Sequence, residues 1–315
     1  MLRRFFQRRH LDPLAEGDLP PLARDRLARI WQGGANDGWH PEDVLDGIEA
    51  AHGPLECAEP KAMGELLSLA LWEAAAAWEV SARLAVDLSE VESRLAVTAQ
   101  AHDEARHVML LREVLERMQL PVSSPPPAAL KALQQVHRAR EPGRALVGLH
   151  LMLEPIALTF YRMVQSKDIS PGLRAFFQHL EEDEVRHVSV GLGVLPPRIR
   201  RMSRVRKADL AAWQLRLFLL EMRGLKQLER PLRELGFKPM DVLRLGHSKQ
   251  LFVVDLLTRD LGDPVVAARL FNRAVELQRS MDWEDDSTFA RTLTGALKRA
   301  LNPEEAPAHT GPLPW

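Results

Sequence analysis

The chain of 315 residues has a single cysteine and a single tyrosine, and only 6% of it is aromatic. One cysteine, Cys57, leaves nothing from which to build a disulfide framework or a cysteine-rich zinc module, and it fits a reducing, cytoplasmic setting. Charge of one sign is lacking too: 42 Lys+Arg face 43 Asp+Glu, a formal net charge of -1. Nucleic acid is therefore not an expected partner, because displacing counterions from phosphates needs a basic excess. No apolar run approaches the ~18 residues of a membrane span. The most apolar stretch, LSLALWEAAAAWEV, is interrupted by Glu73 and Glu79. The first ten residues carry four Arg without the apolar core of a signal peptide, and read as a solvated arm. A soluble protein is the expectation. Alternating strand patterns are almost absent as well, which argues against sheet-based folds.

What is present is helical periodicity. Residues 1–59 read as an N-terminal wrap, with turn signals at Pro20-Pro21, Gly33-Gly34 and Asp37-Gly38 around short helical pieces near 21–32 and 41–52. A long apolar helix is expected from about Pro60 to Val86. Ser89 with Glu92 has the form of a capping box for a second helix, ending near Leu120. PVSSPPP (121–127) is a rigid connector, and a shorter helix covers 128–139. A third long helix over 144–167 breaks at Asp168-Ile169-Ser170. Pro171 opens a fourth, expected to end near Gly191–Gly193 ahead of Pro196-Pro197. Residues 60–193 thus make two helical hairpins. Residues 194–301 add amphipathic helices to the same domain, and 302–315 form a Pro-rich disordered tail.

The two hairpins echo each other: DEARHV at 103–108 returns as DEVRHV at 183–188. Taking the turns at Leu88 and Ile169, Glu73 and Glu104 lie almost equally far from the first turn, and Glu154 and Glu184 from the second. Antiparallel helices rise equally in both directions, so each pair of carboxylates meets at one height. His107 and His187 follow their Glu at i+3, on the same helix face. Each of these faces is otherwise apolar, and lone ionised carboxylates there would cost several kcal/mol. Two divalent metals would supply four positive charges against the four carboxylates, and mixed oxygen and nitrogen ligands suit iron or manganese.

A single Glu-x-x-His is weak evidence, but the two at 104–107 and 184–187 both carry Asp before the Glu and Arg before the His. The pattern resembles the ferritin-like di-iron carboxylate superfamily, whose site is one Glu per first helix and Glu-x-x-His per second. The doubled DExRH is most similar to the oxygenase branch: multicomponent monooxygenase hydroxylases, soluble acyl-carrier-protein desaturases and amine N-oxygenases. The resemblance implies an all-α ferritin-like four-helix bundle over 60–193, enlarged by N- and C-terminal helices. It implies that Glu73, Glu104 and His107 bind one metal and Glu154, Glu184 and His187 the other, some carboxylates bridging. It implies too that Asp103 and Asp183 orient His187 and His107, with Arg106 and Arg186 tying down the aspartates.

Departures from the superfamily's patterns sharpen this. Leu111 stands where the ribonucleotide reductase subunit has its radical tyrosine, and Leu149 where ligand-binding oxidases have a cross-linking tyrosine. A stored tyrosyl radical is not expected. Leu158 replaces the threonine of monooxygenase hydroxylases, with Thr159 one position off. The implied function is a di-iron oxidase or oxygenase that activates O2 and oxidises a small or carrier-bound organic substrate. Electrons would come from a separate reductase or ferredoxin, since no flavin, nicotinamide or haem motif is present. Two iron ions are the expected cofactor, and a Mn/Fe or dimanganese pair would use the same ligands. The rival readings are a ferroxidase or iron-handling protein and a dimanganese peroxide-consuming protein. A homodimer is compatible with the sequence but not dictated by it.

Other positions leave alternatives open. Pro155 cannot donate to the preceding turn, so a kink or π-type bulge is expected at Glu154. His150, four before Glu154, is a further ligand, an outer group or a bonded core histidine. Tyr161 is on the metal-facing stripe or simply packs. Glu181 is a site carboxylate or a solvated one. Ala74–Ala77 leave room for substrate or for close helix packing. RIRRMSRVRK (198–207) docks an acidic partner or is a solvated face.

Overall fold

The computed structural model describes residues 19–36, 38–167 and 169–238. The Arg-rich arm, Asp168, the helices expected beyond 238 and the tail at 302–315 lie outside them. Among the described residues there are helices and no strands. Short α1 (Pro21–Asn36) and α2 (Pro41–His52) precede a long hairpin, α3 (Pro60–Asp87) and α4 (Val91–Arg117). Then come α5 (Pro127–His137) and a composite helix: α6 (Pro142–Leu146), a π-helical segment (Val147–Leu153) and α7 (Glu154–Gln165). Next are α8 (Pro171–Arg201), α9 (Arg204–Gln227) and α10 (Glu229–Glu234). Proline opens α1, α2, α3, α5, α6 and α8, where its fixed φ suits the first turn and its missing N–H costs nothing.

α3 packs along α4 and α7 along α8, and α4 meets α8 between the hairpins. This is an all-α ferritin-like bundle. α1 and α2 lie across α4 and α8, while α5 and α9 cover the other side against α3 and the π segment. The apolar interior falls into two clusters. One holds Val80, Leu84, Val97, Leu149, Val190 and Leu195; the other holds Leu67, Leu71, Leu111, Phe176 and Phe177. The helix Pro142–Gln165 is long and apolar enough to cross a membrane, but 83% of that window is buried in the bundle. It is a core helix.

Two local expectations need correction, and a third is settled between its alternatives. The N-cap of α4 is Glu90 rather than Ser89, and it makes no side-chain cap bond. Glu90 is instead buried beside α8, where Arg198 donates to it at 2.8 Å, and that tertiary ion pair displaces the Ser89 capping box. α8 does not stop at Gly191–Gly193 but runs through Pro196 and Pro197 to Arg201. Those glycines serve contact, not termination. A Cβ on Gly191 would sit 2.4 Å from the Cβ of His150, and one on Gly193 3.1 Å from Leu27. Burial of Val194, Leu195, Pro196 and Ile199 outweighs the two lost N–H donors. The break at Glu154 is a full π segment, with Glu154 N–H donating to the Leu149 carbonyl five residues back.

Candidate metal centre

The Asp, Glu and His of the two DExRH motifs are buried between α4 and α8, and the composite helix delivers Glu154 to the same level. One ligand atom each from Glu104, Glu154, Glu184 and His187 lies within 4.8 Å of the others, and all four residues are buried. His187 Nδ1 is 3.1 Å from Glu104, 3.3 Å from Glu184 and 3.6 Å from Glu154 oxygens. His107 is also buried, its Nδ1 3.6 Å from both Glu104 and Glu184 and beyond hydrogen-bond reach of either. Glu73 comes in from α3, outside the tight group of four. With Glu104, Glu154 and Glu184 it lines an internal cavity of about 10 Å³, room for roughly one water. Its buried Oε1 has no hydrogen-bond partner.

The imidazoles are held from behind. His107 Nε2 lies 3.1 Å from Asp183 and His187 Nε2 3.3 Å from Asp103, so in each ring Nδ1 is the atom turned to the centre. Arg106 donates to Asp103 at 2.5 Å, and Arg186 to both aspartates. Trp39, from the turn before α2, lays its ring 4.2 Å from the Arg106 guanidinium and edge-on to His179. α1 closes the same side. A Cβ on Gly34 would lie 2.9 Å from that of Ala99 and 3.6 Å from Asp103. The N-terminal wrap thus seals the aspartate–arginine layer, a role that spacing along the chain does not reveal.

Crowding sets the protonation of the metal-free centre. Burial first, then Glu184, Glu154 and Glu104, pushes the Glu73 carboxyl well above the usual range. Burial and Glu154 push Glu184 up to about 8. Burial alone would lower His107, but Asp183 and Glu104 outweigh it and raise it to about 10. His187 is raised well above its ordinary value in the same way, by Asp103, Glu104, Glu154 and Glu184. Burial would raise Asp103 and Asp183, but their histidines hold both below the carboxylate range. The interior four-carboxylate site therefore keeps protons where cations would serve better. An orphaned Glu73 oxygen and two Nδ1 atoms aimed at carboxylates fit a pair of divalent metals.

The open positions resolve by contact. His150 is fully buried, with Nε2 2.9 Å from Gln100 Oε1 and Nδ1 3.1 Å from the Leu146 carbonyl. Burial and His187 push its pKa down to about 3, and a neutral ring donates to one of those oxygens at a time. Gln100 Nε2 in turn donates to Glu154 Oε1 at 2.8 Å. Gln100 went unnoticed in the sequence, although it lies one helical turn before Glu104. Tyr161 lines the cavity with Leu149, Leu153 and Ala157, and burial plus the four Glu raise its pKa strongly. Thr159 is turned away, its hydroxyl bonded to the Pro155 carbonyl at 2.6 Å. Glu181 is bound by Arg162 and Gln165 at the bundle surface. Ala74 and Ala77 line the cavity. In the basic stretch Arg198 pairs with Glu90, and Arg206 lines a surface pocket with Arg144 and Asp209. Cys57 takes a 3.3 Å bond from the Glu59 N–H, and burial pushes its thiol up.

Comparison with known proteins agrees with this architecture. A search of the curated proteins finds no match in sequence. In solved structures, a protein with aldehyde deformylating oxidase activity from Synechococcus superposes with a TM-score of 0.57 at 16% identity, over 69% of this chain and 98% of that one. A variant of an R2-like ligand-binding oxidase, reconstituted anaerobically with a Mn/Fe cofactor, gives 0.58 at 15% identity, over 73% of this chain and 92% of that one. At such identities the likeness is one of fold. The family model described as p-aminobenzoate N-oxygenase AurF matches residues 80–242, just over half of the chain and both DExRH motifs. The chain therefore belongs to the AurF family, within the ferritin-like di-iron oxidoreductases.

Proposed function

We propose that Glu73, Glu104, His107, Glu154, Glu184 and His187 hold two metal ions, iron or an iron–manganese pair, at which O2 oxidises an organic substrate. The observation that carries this reading is the convergence of four carboxylates and two back-bonded imidazoles on one buried level. When bound, the metals supply the redox chemistry with O2. The chain's own residues do the rest. Asp103 and Asp183 fix the ring orientation of His187 and His107 and keep Nδ1 turned inward. Arg106 pairs with Asp103 and Arg186 with both aspartates, holding their carboxylates in place, and the wrap of α1 and α2 excludes water behind them.

The family's described reaction, N-oxygenation of p-aminobenzoate, makes an amine the first substrate class to test. The cavity beside Glu73 narrows the choice. Ala70, Ala74, Ala77, Leu149, Leu153, Ala157 and Tyr161 surround the carboxylates with no basic side chain among them. The part of a substrate that meets the centre is thus apolar or neutral, and any carboxylate it bears points elsewhere. At about 10 Å³ the cavity admits no organic molecule until these side chains move. A separate electron donor completes the cycle. Elemental analysis of purified protein is the test: about two transition-metal ions per chain are expected, and Glu154→Ala should lose most of them. A metal-free wild-type protein that cannot be loaded with Fe(II) or Mn(II) would sink the proposal.

A further inference from the structure

The six proposed ligands account for the charged groups at the centre but not for the neutral pair behind Glu154. Gln100 and His150 are both fully buried, on α4 and in the π segment. They form a directed chain: Gln100 Nε2 donates to Glu154 Oε1 at 2.8 Å, and Gln100 Oε1 faces His150 Nε2 at 2.9 Å. A buried primary amide is costly unless its ends are satisfied, and here both ends are used. An ionised Glu154 accepts only, so the amide must turn its N–H to the carboxylate and its carbonyl to the ring. His150 then donates from Nε2. The brace is held in place by α8, because Gly191 lets the two helices approach until a Cβ there would lie 2.4 Å from the Cβ of His150.

We propose that Gln100 is a positioning residue for the metal centre, braced by His150, which holds Glu154 Oε1 and leaves Oε2 to face the cluster. Oε2 is the oxygen directed to the centre, 3.6 Å from His187 Nδ1. A hydrogen bond to Oε1 fixes the carboxylate's rotation, so the two oxygens are no longer equivalent. The proposal rests on the reading of Glu154 as a ligand and adds to it a neutral tether that no charge pattern announces.

The test is Gln100→Met, which keeps the volume and removes the N–H, with His150→Phe and the double variant beside it. Affinity for Mn(II) alone is measured by chelator competition on the full chain, together with the spectrum of the loaded protein. Gln100→Met should lose about 10–100-fold in affinity, the usual cost of removing an outer partner of a metal ligand, and shift the spectrum. The double variant should bind no more weakly than Gln100→Met, because His150 acts through the amide. Wild-type affinity and an unchanged spectrum in Gln100→Met would overturn the proposal, as would full additivity of the two single losses. Gln100→Asn, one methylene short, replaces Gln100→Met if the latter does not fold, with the same loss expected. Wild-type protein that takes up neither Mn(II) nor, under anaerobic conditions, Fe(II) defeats the underlying metal reading; a loaded wild type with an indifferent Gln100→Met defeats only the tether.

Discussion

His107 and His187 answer to two opposed demands, burial that favours the neutral ring and carboxylates that favour the charged one, and the carboxylates win. The consequence for the metal-free protein has a definite sign. Glu184, raised to about 8, and His107, raised to about 10, bind more protons folded than unfolded, as do Glu73 and His187. Stability from a raised pKa is fully present below the unfolded value and is lost as pH climbs through the folded one. The thermal midpoint of metal-free protein should therefore fall as pH rises from about 5 to about 10. Asp103 and Asp183 act oppositely, their contribution fading below about pH 4. Metal binding displaces these protons, so loading should release them and strengthen with pH; a pH-stat titration reads the release directly. A midpoint that rises over that window would contradict the assignment. The Glu and His positions were legible from the sequence because charge on an apolar helix stripe is rare. Gln100 and Trp39 were not, since a neutral amide and an indole sit on a buried face without disturbing its pattern.

At the scale of the element, the same kind of signal was read correctly once and wrongly once. Pro155 marked the disturbed turn before Glu154, and a π segment stands there. Pro196-Pro197 gave an equally strong signal on α8, yet the helix passes through, because packing of its buried face against Leu27 and His150 outweighs the lost donors. Long apolar periodicity placed α3 and α4 within a residue or so at the start of each, whereas the cap of α4 depended on Arg198, a partner more than a hundred residues away. Glycine shows the tertiary constraint most sharply at the start of α8. A Cβ on Gly172 would lie 2.4 Å from the Gly53 carbonyl oxygen and 2.9 Å from that of Pro54, backbone atoms that cannot swing aside. Gly172→Ala should cost about 1–3 kcal/mol in chemical denaturation, the usual range for overpacking, while leaving the metal content of the folded protein unchanged. A neutral effect on stability would mean that the loop after α2 yields more easily than its contacts indicate.

Over the whole molecule a polar level crosses α3, α4 and α8 and separates the two apolar clusters along those three helices. On α3 the break falls around Glu73, on α4 between Val97 and Leu110, and on α8 between Leu180 and Val188. Metal removal with a chelator should lower the thermal midpoint, since an ion bound only by the folded state stabilises it by mass action. The bundle itself is expected to persist, because each apolar cluster is formed without the ions. The two clusters meet across a layer where the buried carboxylates sit among Ala70, Ala74, Ala77, Leu149, Leu153, Ala157 and Tyr161. Metal bound at that level would tie α3, α4, α7 and α8 together and so add to the coupling between the two ends. Loaded protein should exchange its amide hydrogens near Leu84 and near Phe177 at a common limiting rate, as one foldon; stripped of metal, the two ends should exchange at separate rates. The metal pair would then be a rivet as well as a reagent.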